Sequence, residues 1–373
     1  MSAAPRGLLL VCASVVASLF AISSAAAQDV KRERSGEELF RVACAACHGA
    51  DGKGAPQSQV GFDDPLPDFT ECSFNTPEAA ADWFAVAHDG GPARAFSRRM
   101  PAFGEALTTA ELERTVDYVR GLCDDPAWPR GDLNFPRALV TEKAFPENET
   151  LFTATIQTGA SRELTNEVVY ERRFGARNQF EVAVPLTMQA GEGGPWFRGL
   201  GDIAVAVKRV LFHSMTTGSI LSVGGEVVLP TGKETEGLGG GVMKFEPFLS
   251  VGQVLRGNAF VQAQVGAEIP RLSERTEREA FWRGVVGTTL VQGEFGRSWS
   301  PMLEFAGVRE LERGSAVEWD ILPQMQVSLS KRQHILVAAG VRIPLTQRGE
   351  RQAQVLTYLL WDWFDGGFWD GWR

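Results

Sequence analysis

Positive charge is scarce in this 373-residue chain: 37 Lys and Arg stand against 46 Asp and Glu, a formal net charge of −9. Nucleic acid is thereby excluded as a partner, because no basic excess exists to neutralise phosphates. Histidine (4) and cysteine (5) are also few, which confines metal or redox chemistry to a handful of positions. Beyond residue 22 no apolar run is long enough for a helical span, so a polytopic helical membrane protein is excluded. A hydrophobic fraction of 44% with 22% charged residues likewise excludes a disordered chain. What is abundant is glycine (40) and phenylalanine (23), with 10 tryptophans, a composition that suits β-structure rich in turns. The length leaves room for two domains.

Residues 1–27 read as a secretory signal. Arg6 supplies the positive start, Gly7 to Ile22 the apolar run, and Ala25-Ala26-Ala27 the small-residue cleavage site before Gln28. The expected mature chain begins near Gln28 in an oxidising compartment and keeps Cys44, Cys47, Cys72 and Cys123.

Residues 28–122 carry the recognisable chemistry. A helix opened by Ser35 and Glu38, spaced as a capping box, runs into Cys44-Ala45-Ala46-Cys47-His48. Two thiols at this spacing suit thioether bonds to the two haem vinyl groups, with the adjacent His as proximal iron ligand; a redox or zinc motif is the competing reading. Met100, in Arg99-Met100-Pro101-Ala102-Phe103, supplies a thioether sulfur as the second axial ligand, although a Met before Pro also serves as core filler. A further helix follows, with Thr108 and Glu111 as its capping box and Leu112, Val116 and Val119 on its apolar face. His88 is the rival sixth ligand. It closes a helix expected to begin at Thr76-Pro77-Glu78, where a surface histidine near a helix C-terminus is the plainer reading. Pro65 or Pro67 is a candidate to offer the carbonyl that orients His48, and Cys72 with Cys123 a candidate disulfide.

On these motifs residues 34–122 resemble the class I c-type cytochromes. The resemblance implies a small all-α fold, one covalently bound haem c on Cys44 and Cys47, low-spin ligation by His48 and Met100, and one-electron transfer. Residues 28–127 hold 10 basic and 18 acidic side chains, a surface suited to a basic redox partner protein.

Residues 123–148 contain Pro126, Pro129, Pro136 and Pro146 and read as a semi-rigid proline-rich linker. From 149 to 364 the pattern changes to period-two alternation. Val261, Ala263, Val265, Ala267 and Ile269, for instance, alternate with Gln262, Gln264, Gly266 and Glu268. Twelve such segments are expected, starting near residues 149, 163, 178, 201, 217, 242, 258, 279, 299, 316, 333 and 351. Their length exceeds the usual ~5–6 residues of a strand and suits a tilted bilayer crossing. Long loops (191–199, 231–241, 271–278) tend to alternate with tight ones such as Gly175-Ala176-Arg177, and Trp282, Trp299, Trp319, Trp361 and Trp363 fall near strand ends.

The reading is therefore multidomain: a small all-α haem domain, then an antiparallel outer-membrane β-barrel of about twelve strands, then a tail at 365–373. A soluble sandwich is the alternative. The stretch Gly199-Leu200-Gly201-Asp202-Ile203 and the layout resemble the phenol-degradation-associated outer-membrane barrel family, which adds a small-molecule permeant as an expectation. Twelve strands close into a backbone cylinder about 24 Å across, too narrow for a ~30 Å haem globule, which is expected below the periplasmic mouth. With no general base or nucleophile in evidence, the chain reads as an electron carrier rather than an enzyme. The alternatives are a conduit oxidising an external donor, and a transport barrel with a redox-sensing haem domain.

Overall fold

The computed structural model describes residues 33–157, 162–190, 194–292, 298–349 and 351–362. The expected signal at 1–27, Trp363, Phe364 and the tail at 365–373 lie outside the described residues.

Among the described residues six α-helices come first: α1 (Gly36–Ala43), α2 (Ala45–His48), α3 (Gln57–Val60), α4 (Cys72–Asn75), α5 (Ala80–Asp89) and α6 (Thr109–Gly121). Helices α1 and α6 pack through Leu39 and Phe40, both fully buried, against Leu112 and Val119. Gly36 permits the close approach, since a Cβ there would overlap the Arg114 carbonyl oxygen. The Thr108–Glu111 capping box forms in both directions, with Glu111 N donating to Thr108 Oγ1 at 3.3 Å and Thr108 N donating to Glu111 Oε2 at 3.0 Å. Cys72 and Cys123 are disulfide-bonded, their Cα atoms 5.2 Å apart. Closing a loop of that sequence separation (51) is worth about 4 kcal/mol by loop entropy.

Helix α5 starts later than expected. Thr76 instead closes α4, its Oγ1 donating to the Cys72 carbonyl at 2.7 Å. The first free N–H of α5, on Ala80, donates to Asp132 Oδ1 at 3.0 Å. The cap thus comes from 52 residues downstream, beyond the reach of a local motif.

Residues 123–148 are not a spacer, and the physical reason is burial at both ends of the segment. Its first part belongs to the helical domain. Gly131 N donates to the Thr76 carbonyl at 2.7 Å, and Arg130 donates to the Cys123 carbonyl and to Asn75 Oδ1. Its second part enters the barrel. Leu133, Phe135, Ala138, Ala144 and Phe145 are buried together with Val210, Ile220, Phe260, Val285 and Met302 from the strands.

The barrel is an up-and-down cylinder of twelve strands: β1 (Glu149–Gln157), β2 (Arg162–Phe174), β3 (Asn178–Ala190), β4 (Ile203–Ser214), β5 (Ser219–Leu229), β6 (Lys244–Val254), β7 (Ala259–Pro270), β8 (Glu279–Thr288), β9 (Ser298–Glu310), β10 (Glu318–Ser328), β11 (Ile335–Pro344) and β12 (Gln354–Asp362). Each pairs antiparallel with its chain neighbours, and β12 closes on β1 from Glu149↔Asp362 to Gln157↔Gln354. Two short strands, Phe197–Leu200 and Val291–Gln292, sit in the connections.

Alternation points Phe152, Val168, Leu186, Val207, Val265 and Phe305 outward and exposed, while Glu171, Lys208, Gln262, Glu304 and Gln324 are buried inside. A soluble sandwich has the reverse polarity, and an apolar outer surface around a polar lumen belongs to a membrane barrel. Trp282 and Trp319 meet edge to face at 5.6 Å beside Gly307, where a Cβ would strike the Trp282 ring. Trp299 is exposed, but Trp361 is only 5% exposed and is no part of an aromatic girdle.

The segment inside the cylinder is tied to its wall by polar contacts. Thr141 N donates to Glu304 Oε1 at 2.6 Å, Leu139 N to Gln324 Oε1 at 2.9 Å, and Gln262 Nε2 to the Pro136 carbonyl at 2.9 Å. Tyr358 Oη donates to the Arg137 carbonyl at 2.7 Å. Arg137 itself bridges Glu149 at 2.7 Å and Glu171 at 2.6 Å, with Glu142 at 3.3 Å. Removing one partner from a buried ion pair is worth about 3–5 kcal/mol, because it strands uncompensated charge. Arg137→Met is therefore expected to destabilise the barrel by about that amount, read as a lowered temperature for loss of the compact gel form.

Candidate functional site

The motif Cys44–His48 bridges the end of α1 and α2. His48 N donates to the Cys44 carbonyl at 3.0 Å and Gly54 N to the His48 carbonyl at 2.8 Å, so one tight turn carries both thiols and the imidazole. Met100 follows the turn Gly91–Arg94, with Gly91 N donating to the Met100 carbonyl at 3.0 Å. Gly90, at φ +82°, lets that loop pass close to Met100 and Ala102.

These elements enclose a cleft of about 300 Å³. Cys44, Cys47, His48 and Met100 all line it, with Phe40, Phe69, Trp83, Val86, Phe103, Val116 and Val119 as its apolar walls. Both thiols are free of disulfide. Burial, with Cys47 adding to it, pushes the Cys44 thiol up to about 11. Burial lowers the pKa of His48, which keeps the imidazole neutral with a lone pair for a metal.

The surroundings fit a flat, mostly apolar, iron-bearing group. His48 packs at 4.8 Å from the Phe69 ring, and the buried Nδ1 of His48 and Nε1 of Trp83 have no partner among the described residues. Pro65 and Pro67 both line the cleft, yet neither carbonyl accepts from His48 Nδ1. His88 is outside the cleft. Its ring stacks on Phe84 at 5.5 Å, its Nδ1 meets Asp89 Oδ1 at 2.6 Å, and Gly104 leaves room for it.

Three charged residues at this site escape a reading of the sequence. Arg94 is buried at 6% exposure and pairs with Asp82 at 3.2 Å. Arg332 and His334 reach the same cleft from the barrel, more than 230 residues away in the chain. His334 Nε2 lies 2.9 Å from Glu78 Oε1. Only the excess of arginine near Met100 hints at this from sequence.

Residues 31–119 match the family described as cytochrome C oxidase, cbb3-type, subunit III. A comparison with curated protein sequences returns no match. Among solved structures, an outer membrane channel from Pseudomonas putida F1 is similar at 11% identity and a TM-score of 0.42, covering 61% of this chain and 99% of that one. The KdgM porin is similar at 9% identity and a TM-score of 0.39, covering 57% and 98%. The NanC porin reaches 5% identity and a TM-score of 0.40, covering 57% and 98%. The twelve-stranded closure itself is read from this chain's own pairing.

Proposed function

We propose, from a c-type cytochrome domain at residues 31–119 carried on a closed twelve-stranded barrel, that this protein is a mono-haem electron carrier held at the outer membrane. The observation that carries this reading is the convergence of Cys44, Cys47, His48 and Met100 on one apolar cleft. In it Cys44 and Cys47 would hold the haem covalently, and His48 and Met100 would ligate its iron. The haem supplies a one-electron iron couple. The chain's part is to exclude water with Phe40, Phe69 and Val119, to present a neutral imidazole, and to offer a thioether that favours ferrous iron.

The apolar outer surface of the cylinder supports membrane insertion. The haem domain contacts the end of the barrel that carries the short turns: Arg177 Nε donates to the Ala127 carbonyl at 3.1 Å, and Arg173 lies over the Trp128 ring at 4.5 Å. Short turns are periplasmic in outer-membrane barrels, which supports a periplasmic haem domain. Its acidic surface suits a basic periplasmic redox protein as partner. A solute-passing barrel, or an external donor reaching the haem through the lumen, is less well supported, because residues 133–147 occupy that lumen.

Met100→Ala tests the ligand assignment. The expected protein keeps covalent haem but shows a high-spin or His-rescued spectrum, with the reduction equilibrium lowered at least tenfold, about 59 mV. An unchanged low-spin spectrum would assign the sixth position to another residue.

A further inference from the structure

The wall of the cleft is incomplete without the barrel. The β10–β11 turn, residues 329–334, brings Arg332 and His334 into its lining. We propose that Arg332, together with Arg94, seats the carboxylate edge of the haem, so that the cofactor is held between the two domains and its potential is set partly by the barrel. This rests on the haem reading above and adds to it.

The turn is built to hold a direction. Ser330 Oγ accepts from His334 N and from Ile335 N, each at 3.1 Å, and Asp362 N donates to the His334 carbonyl at 2.8 Å. Three consecutive side chains then bind the haem domain. His334 meets Glu78 at 2.9 Å, Gln333 Nε2 donates to Asp82 Oδ1 at 3.4 Å, and Arg332 Nη2 donates to the Ala95 carbonyl at 3.4 Å. The Arg332 guanidinium also lies over the Phe96 ring, 4.3 Å from its centre.

That position is next to Arg94, one residue before Ala95 on the same short helical turn. Arg94 is buried; its Nη2 pairs with Asp82 at 3.2 Å, and its Nε has no partner among the described residues. Two guanidinium groups therefore converge at one end of a cleft whose walls are otherwise largely apolar. A haem is an apolar disc with two carboxylates on one edge. Its disc matches the walls, and burying the carboxylates requires paired cations. Arg99 is the other cation in the lining, but it is exposed and engaged with Asp64 at 2.9 Å.

The sign of the effect follows from charge. Reduction adds an electron, and a nearby fixed cation favours the reduced state. In the full-length haem-loaded protein, Arg332→Met removes the charge while keeping the bulk over Phe96. Its reduction equilibrium is expected to fall at least tenfold, about 59 mV for one electron, with haem attachment and the low-spin spectrum unchanged. Arg332→Lys should recover most of the loss, and Arg41→Met, at an exposed cation outside the cleft, and Phe96→Leu should leave the potential within twofold. A potential unmoved by Arg332→Met, or a loss that Lys does not recover and Phe96→Leu reproduces, overturns the proposal. If Arg332→Met fails to accumulate, Arg332→Gln is read on the same scale and decides it in the same way. Failure of the haem reading looks different, since the parent chain would then carry no covalent haem.

Discussion

Serine in place of both Cys44 and Cys47 is expected to abolish covalent haem completely while leaving the chain in the outer-membrane fraction. The two thiols are the only described cysteines outside the Cys72–Cys123 bond, so no other thiol is available to form the thioethers. Iron ligation by His48 and Met100, as proposed, would not by itself hold the haem through denaturation. The wild-type chain should therefore give a single haem-staining band on a denaturing gel, and the double variant none. The barrel has its own closed ladder and its own luminal packing, so the variant should still show heat-modifiable migration. A stained band in the double variant would remove the covalent assignment; its loss from the membrane fraction would mean that the anchor is not the barrel.

The second large effect concerns the lumen. In a planar lipid bilayer the intact protein is expected to show no steady ionic current. Phe135 stacks on Phe260 at 5.4 Å, Ser222 Oγ donates to the Ala144 carbonyl at 2.5 Å, and Lys208 pairs with Glu142 at 2.5 Å. These contacts tie residues 135–144 to the inner wall and place them across the path through the cylinder. Replacing residues 134–146 by an equally long Gly/Ser segment removes the Phe135 ring and the Glu142 carboxylate from those anchors and keeps the chain length, so the ends still meet. The side chains left inside, Glu171, Lys208, Glu304 and Gln324 among them, are polar and accept water readily. Current should then rise from baseline to a steady open level. Equal currents from the two proteins would show that the segment does not obstruct the path. Arg137→Met, by contrast, leaves the segment in the lumen and removes only a cation, so its cost appears in stability rather than in conductance.

Much of this was within reach of the sequence, for reasons of locality. Cys44, Cys47 and His48 lie on one turn, so their spacing alone fixes their mutual geometry. Alternation along a strand is likewise a nearest-neighbour property, and the twelve segments start within three residues of the expected positions. The plug was not within reach. Prolines and weak periodicity describe a solvent-exposed spacer and a luminal loop equally well, and the partners of 133–147 (Gln262, Glu304, Gln324, Tyr358) lie over a hundred residues away. A trace of it was nonetheless present: a spacer has no use for Phe135, Leu139 and Phe145. Arg332 and His334 were hidden for the same reason, since nothing local distinguishes them from any basic hairpin turn.

Asp132 has a practical consequence for anyone dissecting the molecule. It caps α5, the helix that carries Trp83 and Val86 into the cleft, and it pairs with Arg120 at the end of α6. A fragment cut at Leu122, where the cytochrome resemblance stops, would lack this carboxylate and Cys123 together. The smallest excised piece able to keep its shape must run to about residue 132, and even then one side of it would stand open where the hairpin from the cylinder used to be.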